Sequence, residues 1–171
     1  MAAIYLIRHG QASFGSADYD QLSEKGRQQA VLLGQYWRSR ATPSKLFCGD
    51  LLRHNQTLSG FNEGYQGVAT PTVIHSGFNE FDHVDILNNY HAQGSENKKS
   101  KDILVFTSGG TISVIVQHIL KLSDQQALEI NQQARNTSVT KLLFSENMLS
   151  VDYLNNYSHL EQVGEDWVTF R

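Results

Sequence analysis

Cysteine is nearly missing from this chain. Cys48 is the only one in 171 residues, so no disulfide can form within the chain and a cysteine-rich zinc site is excluded. Charge is also sparse: 18% of the residues are charged and the net charge is -3. That balance excludes a protein built to coat nucleic acid. No apolar window approaches the length of a membrane span, so no membrane partner is expected. The N-terminal stretch MAAIYLIRHG lacks the basic region of a secretory signal. Without such a signal, the sequons at Asn55 and Asn136 carry little weight. Repeats, low-complexity tracts and linkers are missing too. No acidic cluster has metal-ligand spacing, so no metal or other cofactor is expected. The expectation is a cytoplasmic enzyme or binding module folded as one domain over residues 1–171. Oligomeric state is not set by the sequence.

What is present is alternation. AIYLI (Ala3 to Ile7) reads as a short buried strand. LSEKGRQQAVLLGQYWRSR (Leu22 to Arg40) reads as a helix, with Ser23 able to cap its start and Pro43 after its end. KLFCG (Lys45 to Gly49) is a second strand and Leu51 to Phe61 a second helix. PTVIH (Pro71 to His75) is a third strand, followed by a helix over Phe81 to Ala92 and a polar loop to Asp102. Ile103 to Phe106 is the next strand, and Thr111 to Leu120 its helix. Ser123 and Gln126 have capping-box spacing. SVTKLLF and MLSVDYL read as paired strands near the end of the chain. Alternating strands and helices imply an α/β fold with a mainly parallel central sheet covered on both faces. Ligands in such sheets bind beyond the carboxyl ends of the strands.

Those ends carry chemistry. The first strand runs into Arg8, His9 and Gly10. The second is followed by Asp50 and Arg53, the third by Glu80, and the fourth by Thr107, Ser108, Gly109 and Gly110. Guanidinium groups bind oxyanions through paired hydrogen bonds and keep their charge. Free amides at a helix start favour an anion. A neutral imidazole can attack phosphorus when its other nitrogen is held by a hydrogen bond. A carboxylic acid can protonate the leaving oxygen. The inventory suits phosphoryl transfer without metal. Each piece alone has a plainer reading: a surface Arg-His pair, a salt-bridged Arg53, an exposed loop Glu80, and Ser108 as a turn or capping residue. Asp50 reads as a cap of the second helix.

The motifs resemble those of the histidine phosphatase superfamily, also called phosphoglycerate mutase-like. LIRHGQA (Leu6 to Ala12) is similar to its signature. LSEKGRQQAVLLG (Leu22 to Gly34) resembles LSxxGxxQAxxLG. GDLLRHNQT (Gly49 to Thr57) resembles SxLxRxxQT, with Gly49 where serine is common. NEFD (Asn79 to Asp82) is similar to the acid-bearing segment, and SGGTISVIVQHIL to HGGxxxxLxxxLL. NTSVTKLLF and His159-Leu160 match as well. The resemblance covers nearly the whole chain, in order.

The resemblance implies a three-layer α/β/α sandwich and chemistry without metal. It assigns His9 as the nucleophile that becomes phosphohistidine and Glu80 as proton donor. Arg8 and Arg53 become phosphoryl ligands, with Ser108 and Gly109 completing the phosphate cradle. Ser108 departs from the pattern, because the family usually carries a second histidine there. A lost donor aimed at transition-state charge can cost ~3 kcal/mol. Three outcomes stay open: Ser108 and the glycine amides suffice, another histidine such as His54 or His83 reaches the gap, or catalysis is weak. The expected activity is a phosphomonoesterase acting on a phosphorylated small molecule or a phosphoprotein. The alternatives are a weakened phospho-ligand sensor and, behind it, a phosphoglycerate mutase-type phosphotransferase.

Overall fold

The computed structural model describes residues 2–13, 20–79, 102–145 and 148–170. Glu80, His83 and the helix expected over Phe81 to Ala92 lie outside the described residues.

Strand β1 (Ala2–Arg8) is apolar along almost its whole length and is buried on both sides. That is the pattern of a central strand in a sheet covered by helices. Helix α1 (Glu24–Trp37) starts where Ser23 accepts a hydrogen bond from the Gly26 N–H, the expected cap. There follow β2 (Lys45–Cys48), α2 (Leu52–Tyr65), β3 (Thr72–Ile74), a 3₁₀ turn over Ser76–Phe78 and β4 (Ile103–Thr107). After β4 come α3 (Gly109–Leu120) and α4 (Asp124–Gln133), the latter opened by the Ser123–Gln126 capping box. The chain then forms β5 (Val139–Ser145), β6 (Met148–Asn156), the short α5 (Ser158–Glu161) and a last 3₁₀ turn over Glu165–Trp167.

The strands form one sheet in the order β3-β2-β4-β1-β5-β6. The first four in that order are parallel, and β5 and β6 add in antiparallel fashion. Side chains alternate between two cores. Tyr5, Ile7, Leu46, Leu104 and Phe106 pack with Leu33 and Trp37 of α1 and Leu58 and Phe61 of α2. Ile4, Leu6, Phe47 and Val105 face the other way, onto Ile112, Ile115 and Val116 of α3, with Ile130 of α4 against them. The period of two thus puts one helical layer on each face, the expected α/β/α arrangement.

Two boundaries differ from the sequence reading. Helix α2 runs to Tyr65 instead of stopping near Phe61, because α1 and α2 touch backbone to backbone. A Cβ on Gly64 would lie 2.0 Å from the Val31 carbonyl oxygen, and one on Gly34 2.1 Å from that of Phe61. Tertiary packing there outweighs glycine's low helix propensity. Helix α3 begins at Gly109, two residues early, which makes Ser108 its N-cap residue.

Register decides where the site falls. Arg8 pairs with Thr107, and Cys48 with both Phe106 and Ile74, so four parallel strands end side by side. The loops after β1, β2 and β4 therefore meet above one edge.

Candidate active site

His9 follows β1 and is buried. Its backbone is clamped on several sides. Its N–H donates to the Thr107 carbonyl at 3.0 Å, and its carbonyl accepts from the Thr137 N–H at 3.2 Å and from Asn136 Nδ2 at 3.4 Å. Thr137 holds a left-handed φ of 55°, a conformation costly for a β-branched residue. Its hydroxyl donates to the Asn136 carbonyl and accepts from His159 Nε2 at 2.9 Å. The next residue is fixed too. Gly10 donates its N–H to Thr57 Oγ1 at 3.0 Å, and a Cβ there would stand 2.4 Å from the Gly26 carbonyl oxygen. The loop after β1 is thereby pressed onto the first turn of α1.

The ring of His9 has a defined tautomer. Nδ1 lies 2.8 Å from the Gly10 carbonyl, which can only accept, so Nδ1 carries the proton and Nε2 keeps its lone pair. Burial pushes the ring's pKa well below the usual histidine value. The positive charges of Arg8 and Arg53 push the same way, against the opposing Gly10 carbonyl. His9 is a neutral imidazole with two guanidinium groups acting on it.

Arg8 is anchored by backbone carbonyls. Its Nη1 donates to Ala134 O and, at 3.4 Å, to Phe170 O. Its Nε and Cδ lie 3.3 and 3.5 Å from where a Gly109 Cβ would be. The tighter obstacle to a side chain at that position is Asn131, whose Oδ1 would lie 2.7 Å from the Cβ. Arg53, from the first turn of α2, pairs with Asp20 at 2.7 Å. The salt-bridge reading is therefore correct, and it does not exclude the functional one, since a guanidinium has five donors. Asp20 also accepts from the Leu52 N–H at 2.8 Å, which caps α2 in place of a local side chain. Asp50 is not that cap. It is exposed and exchanges two hydrogen bonds with Asn79, at 3.0 and 2.6 Å.

Ser108 is fully buried at the head of α3. Although it is the N-cap residue, its side chain makes no capping bond. Its Oγ instead meets His54 Nε2 at 2.8 Å. His54 is also fully buried, with its ring centroid 5.8 Å from that of His9. Burial, followed by the Arg53 charge, pushes His54 down to about 4. Gly49 makes room for this ring, because a Cβ there would lie 2.2 Å from His54 Nδ1.

The structure thus gathers Arg8, His9, Arg53, Ser108 and Gly109, while Glu80 lies outside the described residues. Of the two histidines considered for the gap, His54 contacts Ser108 at 2.8 Å, and His83 lies outside the described residues. Sequence reasoning missed Asp20 and Thr57. Thr57 was within reach of a pattern argument: it sits one turn after Arg53, donates to the Arg53 carbonyl at 2.7 Å and holds the His9 loop. Asp20 acts through a long-range contact that no local pattern encodes. Cys48, at the end of β2, is buried, which pushes its thiol up to about 12. Among the described residues no group of three His, Cys, Asp or Glu is arranged to hold a metal ion, and no helix is long and apolar enough to cross a membrane.

The strand ends of this α/β sandwich carry an Arg-His-Gly loop beside a second arginine, and comparison with known proteins gives the fold a family. The family model for the histidine phosphatase superfamily (branch 1) matches residues 4–98 and 91–157, and the chain belongs to that superfamily. The fold is similar to that of a mutant phosphoserine phosphatase from Entamoeba histolytica in complex with phosphoserine. That match has a TM-score of 0.71 and 18% identity over 94% of this chain and 100% of that one. It is similar to the protein histidine phosphatase SixA complexed with tungstate, with a TM-score of 0.71 and 13% identity over 92% and 99% of the two chains. It is also similar to mycobacterial glucosyl-3-phosphoglycerate phosphatase, with a TM-score of 0.69 and 17% identity over 91% and 99%. No curated protein sequence matches the chain.

Proposed function

We propose that the protein is a metal-independent phosphomonoesterase that works through a phosphohistidine intermediate at His9, with residues 1–171 acting as one domain. The observation that carries this reading is the state of His9. Its Nδ1 proton is spent on the Gly10 carbonyl, its Nε2 keeps its lone pair and the ring is neutral, with Arg8 and Arg53 beside it. A ring held only for packing needs neither guanidinium. In this reading Nε2 attacks phosphorus in line with the ester oxygen, and the P–N bond forms as the P–O bond breaks. Arg8, Arg53, Ser108 and the Gly109 amide hold the equatorial oxygens. Glu80 gives its proton to the leaving oxygen. Water then attacks the phosphohistidine, the P–N bond breaks, and the water proton returns to the Glu80 carboxylate. The structural relatives named as phosphatases support the reaction class. The substrate is a phosphorylated small molecule or a phosphoprotein in the cytoplasm.

The second reading is a phospho-ligand sensor, favoured by one feature: the uncharged Ser108–His54 pair supplies less positive charge than an imidazolium. Hydrolysis of para-nitrophenyl phosphate with EDTA present separates the two. Turnover in the wild type that vanishes in His9→Ala, with an acid-labile phosphoenzyme trapped only in the wild type, establishes the phosphatase. Phosphate binding without turnover of any phosphomonoester establishes the sensor, and full activity in His9→Ala overturns the mechanism.

A further inference from the structure

Ser108 poses a question that the phosphatase reading leaves open. An N-cap serine ordinarily spends its side-chain oxygen on the second or third amide of its own helix. Here it does not, and the oxygen is turned to His54 Nε2 at 2.8 Å. Both side chains are fully buried, so this contact is a fixed part of the interior.

The direction of that bond follows from the other edge of the ring. His54 Nδ1 is buried and has no well-formed hydrogen bond. The Asn79 side chain lies close enough to raise the ring's basicity, and its Oδ1 accepts from the Asp50 N–H, but no hydrogen bond from Nδ1 to it is formed. A neutral imidazole has one proton. On Nδ1 it would be an orphaned buried donor, which folded proteins rarely tolerate, whereas an unfilled acceptor is tolerated better. On Nε2 it enters the one good hydrogen bond the ring makes. Ser108 Oγ then accepts from His54, and its own O–H must be directed elsewhere. Among the described residues no protein acceptor takes that hydrogen.

We propose that His54 is a positioning residue: Nε2–H of His54 holds Ser108 Oγ so that the serine hydroxyl donates to a phosphoryl oxygen bound beside His9. The second imidazole of the site thus arrives from α2, one residue after Arg53, and acts through Ser108. Gly49 is part of the device, since any side chain there would fill the space of the Nδ1 edge.

This inference rests on the phosphatase reading, and the experiment separates the two failures. Nitrogen-15 histidine spectra of the wild type are recorded with and without inorganic phosphate, and kcat and KM for para-nitrophenyl phosphate are measured for Ser108→Ala, His54→Gln, His54→Leu and the double variant Ser108→Ala/His54→Leu. The expected result is a neutral His54 protonated on Nε2, a kcat lower by roughly 100-fold in Ser108→Ala with KM little changed, and a double variant no worse than either single one. His54→Gln, which can still donate to Ser108, recovers most of the activity that His54→Leu loses. His54 protonated on Nδ1, or losses that multiply in the double variant, overturns the inference and leaves the phosphatase standing. A wild type that neither binds phosphate nor turns over substrate overturns both.

Discussion

Gly49→Ala is the substitution that most directly probes the unusual half of this site. Its backbone lies outside the left-handed region, so alanine is not excluded by conformation. The obstacle is steric. The new Cβ would lie 2.2 Å from His54 Nδ1, 2.9 Å from its Cε1 and 2.5 Å from Asn79 Oδ1, where ordinary contact begins at 3.4 Å. The ring must retreat by about an ångström, yet its far edge is tied to Ser108 at 2.8 Å. Overpacking of this kind costs about 1–3 kcal/mol, and a lost buried hydrogen bond about 1 more. The restricted unfolded chain returns roughly 0.5 kcal/mol. We therefore expect Gly49→Ala to lower unfolding stability in urea by about 2–3 kcal/mol. In a His54→Ala background the ring clash is gone and only the Asn79 contact remains, so the same change should cost about 1–2 kcal/mol less. A double-mutant cycle with no coupling between positions 49 and 54 would refute this account of why glycine stands there.

Two further outcomes follow from the same geometry. Folded-state pKa values of about 4 for His54 and about 3 for His159 lie below the ordinary 6.5, so as pH falls the unfolded chain binds protons first. Stability should be full above pH 6.5 and fall toward pH 4, with each of these histidines costing about 2 kcal/mol at pH 5; a flat urea midpoint between pH 7 and pH 5 would contradict the buried neutral rings. Asp20→Ala should lose about 1 kcal/mol by uncapping α2 and should also lower kcat/KM by loosening Arg53. Asp20→Asn should keep most of the stability but not the activity, and equal losses of stability in the two variants would show that Asp20 does not cap the helix.

Local signals were strong where the physics is local. The caps at Ser23 and Ser123 depend on residues three positions away, and both formed as the spacing implied. Residues after parallel strands had to converge because the sheet aligns its carboxyl ends, which is why Arg8, His9, Arg53 and Ser108 could be grouped from sequence. Helix lengths were less legible. The end of α2 is set by backbone contact with α1 across glycines, and propensity alone points the other way.

The sequence by itself determined the alternation of strands and helices, the grouping of Arg8, His9, Arg53 and Ser108 at the strand ends and the resemblance to a phosphatase family. These rest on hydrophobic periodicity and on residue chemistry, which are properties of short stretches. Tertiary structure alone decided that Ser108 abandons its capping role for His54, that Gly49 holds open the space for that ring and that Asp20 both caps α2 and pairs with Arg53. Each of these is a contact between segments distant in the chain, and such contacts exist only once packing has fixed which groups are buried together.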